Sequence, residues 1–246
     1  MRFSGLLIGL TLATLCCASG QGGLALFHKM QAALGGADKI AAIHDFEEQV
    51  HAQVFDTEGK LLAEVDKRTR WIRPNYLRID QIGPWDTYAL YFDGTKGWEI
   101  LPDKSVKDLA GSELKFAQDY QRNFDLNMYL ADRDPGCRIT SPEPNAVHIV
   151  CGDDSSSAMD IFLDPVSGLP LSNGALITPD VAQYPTKGTL FQGWTVVRGV
   201  KLSSRREHFS KDRRAEMNDD FIVVNSGLKV ADLAVRPADL KPVLRK

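Results

Sequence analysis

The segment YALYFDGTKGWEI at residues 88–100, followed by GSELKFAQDYQRNFDLNM at residues 111–128, decides the fold that the sequence predicts. The first part is rich in aromatic residues around Asp93-Gly94, a turn dipeptide typical of a two-strand hairpin. In the second part, apolar residues recur at steps of three and four, which predicts one face of a helix over about 112–131. These residues are Leu114, Ala117, Tyr120, Phe124 and Met128. The combination predicts a sheet with a helical lid.

Alternating patterns on both sides of this segment predict antiparallel strands. From Phe46 to Val54, apolar residues alternate with polar ones, and only Glu48 breaks the pattern. Residues 61–71 alternate in the same way and place Trp71 on the apolar face. Further strands are predicted at 137–151, 158–163, 189–197, 200–209 and 220–225. The chain is therefore expected to be mainly β with α, with roughly ten strands in one curved antiparallel sheet.

The ends of the chain and one internal segment carry different patterns. Residues 24–34 have a helical repeat that Gly35-Gly36 terminates, and a short helical turn is expected to follow. Residues 171–188 are rich in turn residues, which favours an edge loop. The tail from Lys229 contains two prolines and is expected to be loosely ordered.

The N-terminus has the features of a secretory signal peptide over residues 1–20. Arg2 is followed by an apolar run from Leu6 to Leu15, and small residues precede a cleavage site before Gln21. The run is shorter than the roughly 20 residues of a membrane span. Lipidation at Cys16 or Cys17 is the alternative. We therefore expect export to the periplasm and a single mature domain over residues 21–246.

Composition narrows the possible partners and the redox state. The chain is 43% hydrophobic and 25% charged, as expected for a globular protein, and its net charge of −3 argues against nucleic-acid binding. Cys137 and Cys151 flank the turn SPEPN at residues 141–145, so two hairpin strands could hold them opposite each other. In an oxidising compartment this arrangement predicts a disulfide rather than a metal site.

The sequence nominates no catalytic residue, metal ligand or cofactor-binding motif. The five histidines lack the spacing of a zinc protease, and nucleotide-binding and nucleophile-elbow motifs are missing from the sequence. Oxygens in residues 153–157 could hold a hard cation, but a solvated loop is the simpler interpretation. Asp219-Asp220 and the charged segment 201–214 are likewise interpreted as exposed. A non-enzymatic role is expected.

An aromatic cluster is the unusual feature of the sequence. It comprises Trp71, Trp85, Tyr88, Tyr91, Phe92 and Trp98. These side chains could fill a closed core. Alternatively, because a single curved sheet has one apolar face that helices must cover, incomplete cover would leave a site for an acyl chain.

Several phrases of the sequence, in a consistent order, resemble the LolA-like family of outer-membrane lipoprotein-sorting proteins. They are LGGADKIAAI at 34–43, RPNYLRID at 73–80, YFDGTKGWEI at 91–100, LDPVSGLPL at 163–171, WTVVRGVKL at 194–202 and FIVVNSGL at 221–228. The resemblance implies a strongly curved half-open barrel whose cavity accepts acyl chains of a lipid or lipoprotein. The long 171–188 loop and the charged 201–214 segment depart from the family pattern and leave the cargo open.

The resulting hypothesis is a periplasmic carrier or binder of acyl chains, with envelope transport proteins and transient membrane contact as further candidate partners. The predicted cavity and lid residues are Trp71, Trp85, Tyr88, Tyr91, Trp98, Tyr120, Phe124 and Met128. The alternative is a structural or interaction module of the cell envelope whose sheet interior is filled. An envelope hydrolase is the third possibility, and no residue of the sequence supports it specifically.

Overall fold

The computed structural model describes residues 16–84, 87–101, 103–152, 158–174, 188–210 and 212–235. The helices are α1 Cys16–Leu34, α2 Ala37–Ala41, α3 Gly111–Arg122, α4 Asp125–Met128 and α5 Val230–Leu233, with a 3-10 turn at Ala131–Arg133. The strands are β1 Asp45–Asp56, β2 Leu61–Ile72, β3 Tyr76–Ile82, β4 Thr87–Phe92, β5 Gly97–Ile100, β6 Val106–Asp108, β7 Cys137–Thr140, β8 Ala146–Cys151, β9 Met159–Leu163, β10 Pro170–Gly174, β11 Gly188–Val197, β12 Val200–Ser210 and β13 Arg213–Val224.

Within the described residues, thirteen strands form one antiparallel sheet in the order β6-β5-β4-β3-β2-β1-β13-β12-β11-β10-β9-β8-β7. Two meanders therefore meet where β1 pairs with β13, and β6 and β7 are the edges of an unclosed sheet. The predicted single antiparallel sheet is confirmed. The strand number exceeds the expected ten because short strands such as β6 and β10 carry little alternation. β10 occupies part of the predicted 171–188 loop, of which residues 175–187 lie outside the described residues.

The sheet curves around α1. Phe46, Trp71, Leu77 and Phe92 are successive cross-strand partners in β1 to β4, so they share one face, which we call the inner face. One buried cluster combines inner-face residues of β1, β2, β7, β8, β9, β12 and β13 with α1. Because β2 and β7 lie far apart in the strand order, both can join this cluster only if the sheet curves. This arrangement agrees with the predicted curved sheet.

The packing of α1 explains where it ends. Phe27, Met30 and Leu34 are fully buried in the main cluster, on a helical spacing that the sequence predicted. The helix terminates at Gly35, whose φ is 121°, and a Cβ atom there would lie 2.2 Å from the carbonyl oxygen of Gly199. Glycine is therefore required both by the backbone conformation and by the close approach of the β11–β12 turn.

The predicted continuous helix over 112–131 is wrong, because the chain breaks between α3 and α4. Phe124 has an extended conformation, with φ −61° and ψ 130°, and it connects the two helices. The Asn127 side chain donates a hydrogen bond of 2.9 Å to the carbonyl oxygen of Gln121, which helps to satisfy the end of α3. Tertiary contacts of Phe124 with the inner face therefore override the helical pattern of the sequence.

The prediction of a loose tail from Lys229 is also wrong for the part that the structure describes. Leu233 in α5 is fully buried against the opposite, outer face of the sheet. The guanidinium of Arg78 in β3 donates to the carbonyl oxygens of Leu233, at 3.0 Å, and Val235. Residues 236–246, with Pro237 and Pro242, lie outside the described residues.

The predicted disulfide between Cys137 and Cys151 is confirmed. The two cysteines are cross-strand partners in the β7–β8 hairpin, next to the edge of the sheet. None of the described helices is long and apolar enough to cross a membrane.

Candidate functional site

Helices α3 and α4 with the linker between them cover the inner face, and we call this segment the cover. Ala117 is the one fully buried residue of α3. It packs in a small apolar cluster that lies mainly on β3 and β4, with Leu114 and Tyr120 beside it. The cluster consists of Leu77, Ile79, Leu90, Phe92 and Leu109. Because so little of α3 is buried, this half of the cover has few contacts that oppose its displacement.

The α4 half of the cover is anchored much more firmly. Leu126 and Met128 are buried in the main cluster, together with the following Tyr129. The side-chain amide of Gln31 in α1 donates to the carbonyl oxygen of Tyr129 at 2.9 Å and to the carboxylate of Asp132 at 2.8 Å. The two halves of the cover therefore differ in packing, and α3 is the more lightly packed half.

Phe124 lies at the junction of these halves and packs on the inner face. Its ring centroid is 5.4 Å from that of Phe46, edge to face, and 5.4 Å from that of Trp71. Trp71 is completely buried, and the Arg73 guanidinium lies 4.9 Å from its ring centroid. Trp71, Phe124 and Met128 thus meet in one cluster, which is closed in this structure.

A row of charged side chains crosses the centre of the inner face beneath the cover, and we call it the polar belt. Arg206 in β12 lies 2.8 Å from the carboxylate of Glu48 in β1 and 2.7 Å from that of Asp219 in β13. The Glu48 and Asp219 side chains are 5% and 2% exposed, so the ion pairs are buried. Lys67 in β2 completes the belt.

The charges of the belt depend on one another. Burial and the nearby Glu48 raise the pKa of Asp219 to about 7, although Arg206 opposes this shift. For Glu48, burial is outweighed by Arg206 and Lys67, which together lower the pKa of its carboxyl. Removing one member would therefore leave an uncompensated charge in a poorly solvated position.

The belt also contacts the cover. The Lys67 ammonium donates a hydrogen bond of 2.9 Å to the Tyr120 hydroxyl of α3. Desolvation raises the pKa of Asp125, the first residue of α4, to about 6, with Glu48 adding to the shift and Arg206 opposing it. The cover therefore meets the belt through both of its helices, at Tyr120 of α3 and at Asp125 of α4.

Sequence reasoning placed two of these charged residues in solvent, and the structure corrects that prediction. Arg206 lies within the 201–214 segment that was predicted to be exposed, and Asp219 in a dipeptide that was predicted to be solvated. Strand alternation gave the only usable signal, because Glu48 interrupts an otherwise apolar row of β1. The partner strands could not be identified from that signal alone.

Two clefts flank the cover. The α4 cleft, of about 400 Å³, has an apolar floor and a polar rim. Its floor includes Met128, Leu130, Ala131, Ile149, Met159 and the Cys137–Cys151 disulfide. Its rim includes Arg73, Asn75, Gln121, Arg122, Arg133 and Asp134. The α3 cleft, of about 380 Å³, is lined by Tyr88, Leu90, Glu99, Leu101, Ser112, Glu113 and Phe116.

The register of the sheet separates the predicted aromatic set. Tyr91 and Trp98, with ring centroids 5.5 Å apart, lie on the outer face, where Leu233 covers them and the Arg78 guanidinium is 5.4 Å from the Trp98 ring centroid. They are therefore not brought together with Trp71 and Phe124. Tyr88 and Tyr120 pack against the apolar cluster of β3 and β4 on the inner face. Trp85 lies outside the described residues.

Potential metal ligands do not converge in the part of the chain that the structure describes. No group of three His, Cys, Asp or Glu side chains there could hold an ion. The 153–157 segment, where the sequence offered oxygens for a hard cation, lies outside the described residues.

The architecture is a curved antiparallel sheet that is open along one side and covered on its inner face by helices. Solved structures identify this fold as LolA-like. A DUF1329 family protein from Desulfovibrio piger matches with a TM-score of 0.57 at 12% identity. A provisionally assigned outer membrane lipoprotein-sorting protein domain from Vibrio parahaemolyticus matches with a TM-score of 0.53 at 12% identity, and a LolA superfamily protein from Nitrosomonas europaea with 0.51 at 11%.

Each of these matches covers 87% of this chain and 97% of the other chain. At such low identity they establish a shared fold, so the LolA-like architecture that the resemblance predicted is confirmed. No family model and no curated protein matches the sequence itself.

Proposed function

We propose that the protein is a non-enzymatic carrier or binder of lipid or lipoprotein acyl chains in the cell envelope, and that it holds them on the inner face beneath the cover. The observation that carries this proposal is the contrast within the cover. A lightly packed α3 lies over an apolar cluster of β3 and β4, while α4 is fixed to the core. Displacement of α3 would expose an apolar surface without unfolding the sheet.

The energetics of such an exchange are close to balanced. Burying a leucine side chain such as Leu114 of α3 contributes at most ~1.5–3 kcal/mol, and each methylene of an incoming chain contributes ~0.8 kcal/mol. A few methylene groups therefore offset the contacts that the cover gives up. A carrier has to release its cargo, and a nearly balanced exchange permits release.

The fold relatives support the choice of cargo without fixing it, because one of them is described as a lipoprotein-sorting domain. Export fits the disulfide, since disulfides persist in oxidising compartments. We further propose that a signal peptide over residues 1–20 directs the chain to the periplasm. Cleavage before Gln21 would shorten α1 while retaining its buried residues Phe27, Met30 and Leu34.

Intact-mass measurement of the exported protein tests this processing. We expect a single domain that starts at or near Gln21 and carries no acyl group. A diacylglyceryl mass on Cys17 would contradict the proposal and make the protein a lipid-anchored one.

Fluorescent fatty-acid binding to delipidated protein tests the carrier function. We expect saturable uptake by the wild type and about tenfold tighter binding by Leu114→Ala, because the acyl chain no longer competes with the Leu114 side chain for the cluster of β3 and β4. Leu61→Ala is the matched control, since Leu61 is exposed at the start of β2 and should leave binding unchanged. Absence of saturable uptake by both the wild type and Leu114→Ala would refute the carrier function.

A structural module with a filled interior is the second candidate. The complete burial of Trp71 and Leu126 in a closed cluster favours it. Native mass spectrometry of protein purified without detergent separates the two functions. Co-purified lipid supports the carrier, and repeated absence of any bound mass supports the filled module.

A further inference from the structure

The α4 cleft has a charge pattern that an acyl-chain carrier does not need. Three arginines, Arg73, Arg122 and Arg133, lie on its rim, and Asp134 is the one acidic residue among the described lining residues. The Asp134 carboxylate already accepts a hydrogen bond of 2.8 Å from the backbone N–H of Gly136. The lining residues therefore carry more positive than negative charge, and acidic side chains outside the lining lie near two of the arginines, with Asp119 3.8 Å from Arg122 and Asp38 2.7 Å from Arg133.

Arg73 is held in a fixed position at this rim. Its Nε donates to the carbonyl oxygen of Ile43 at 3.1 Å, and its Nη2 lies 3.4 Å and 3.5 Å from the carbonyl oxygens of Ile40 and Leu126. Burial and the nearby positive charge of Arg133 lower the pKa of Arg73. An anion in the cleft would relieve this repulsion, so the charge pattern favours an anionic group.

Arg133 is less committed to its present partner. It lies 2.7 Å from the carboxylate of Asp38, but the side chains are 45% and 99% exposed. Exposed ion pairs of this kind contribute little to stability. Arg133 can therefore exchange Asp38 for a ligand anion at small energetic cost.

The floor of the cleft is apolar and continuous with the inner face. Met128, Ile149 and Met159 line it, and Met128 and Ile149 also belong to the main buried cluster. A volume of about 400 Å³ lies at the lower end of the ~300–1,000 Å³ range of small-molecule sites. The space suits one short or partly inserted chain better than several.

We propose that the α4 cleft binds a singly acylated anionic amphiphile, with its phosphate or carboxylate group at Arg73 and Arg133 and its chain on the floor formed by Met128, Ile149 and Met159. This inference rests on the proposed acyl-chain function, adds a second site next to the one beneath α3, and narrows the ligand class to anionic lipids. The two guanidinium groups on the rim match the anionic head group of such a molecule, and the apolar floor matches its chain.

Calorimetric titration of the delipidated full chain with four probes tests the inference. The probes are decyl phosphate, decanoate, decanol and inorganic phosphate, each below its aggregation concentration. We expect saturable binding of decyl phosphate and decanoate, at least tenfold weaker binding of decanol, and no detectable binding of inorganic phosphate. The anionic probe that binds more tightly identifies the source of the head group. Decyl phosphate indicates a lipid phosphate, and decanoate indicates a fatty acid.

Two arginine variants locate the site. Arg133→Gln should weaken decyl phosphate binding about tenfold, equivalent to ~1.4 kcal/mol, and leave decanol binding unchanged. Arg138→Gln is the matched control, because Arg138 is an exposed residue of β7 that does not line the cleft. It should leave the affinity for every probe unchanged.

The outcomes separate this inference from the proposed function. Equal affinity for decanol and decyl phosphate, with no effect of Arg133→Gln, would overturn the anionic site while leaving acyl-chain binding intact. Binding of inorganic phosphate as tightly as decyl phosphate would show an ion site and overturn the amphiphile. Failure of all four probes to bind would overturn the anionic site, and it would overturn the proposed function as well if fatty-acid uptake were also absent.

Discussion

Substitution of Arg206 by methionine tests whether the polar belt stabilises the centre of the sheet. Methionine keeps an unbranched side chain but removes the charge that lies between Glu48 and Asp219, at 2.8 Å and 2.7 Å from their carboxylates. The substitution leaves the two acidic side chains facing each other on adjacent strands. Because both are almost fully buried, water can replace little of the lost interaction.

The expected loss is large and depends on pH. Removing one partner of a buried ion pair costs about 3–5 kcal/mol, a large share of the ~5–15 kcal/mol by which domains are stable. Without Arg206 the pKa of Asp219, already about 7, should rise further. A carboxyl with a raised pKa in the folded state stabilises the fold at low pH, and this contribution is lost as pH rises through that pKa. The destabilisation should therefore be greater at pH 8 than at pH 5.

Urea unfolding at pH 5 and pH 8 measures this effect. Arg205→Met is the matched control, because the neighbouring Arg205 is exposed and its guanidinium contacts only the carbonyl oxygen of Gln192 among the described residues, at 3.4 Å. We expect its free energy of unfolding to change by less than ~0.5 kcal/mol. Equal effects of the two substitutions, or a loss for Arg206→Met that does not vary with pH, would refute the structural role of the belt.

Three further predictions concern the cover and the disulfide. Tyr120→Phe removes the hydroxyl that accepts from Lys67, so hydrogen exchange should become faster in α3 and stay unchanged in α4, with a stability loss of about 1 kcal/mol. The pKa of Asp125 is raised to about 6, so the stability that its protonated form provides is complete below about pH 4 and lost as pH rises to about 6. Asp125→Asn should therefore gain up to ~3 kcal/mol relative to the wild type between pH 4 and pH 8 in urea unfolding. Joint replacement of Cys137 and Cys151 by serine should lower the free energy of unfolding by about 3 kcal/mol, measured without reductant against the wild type.

The elements that the sequence predicted correctly are those whose signal is local. Strand alternation in β1 and β2 predicted the antiparallel sheet and the apolar face that contains Phe46 and Trp71. Gly35-Gly36 predicted the end of α1, because both glycines have a positive φ there and few other residues adopt one. The hairpin between Cys137 and Cys151 placed the disulfide, since turn and spacing together determine which residues face each other.

The elements that it predicted wrongly depend on contacts between distant segments. A helical repeat does continue through Phe124, but packing against Phe46 and Trp71 breaks the helix there. Tyr91 and Trp98 are close to Tyr88 in sequence, yet the period of two residues in a strand puts them on the outer face. The burial of Arg206 follows from the β12–β13–β1 order, which no local pattern contains.

The polar belt also limits where an acyl chain can lie under the proposed function. A chain laid across Glu48 and Arg206 would contact charged side chains or have to separate their ion pairs, whereas a chain beneath α3 would contact the apolar rows of β3 and β4. A photoactivatable fatty acid should therefore label peptides from 76–92 and 111–122, in addition to the peptides that line the α4 cleft, and leave the 200–224 peptide unlabelled. Labelling of that last peptide around Arg206 would show that the belt is no barrier, and that the chain enters from the β12–β13 side instead.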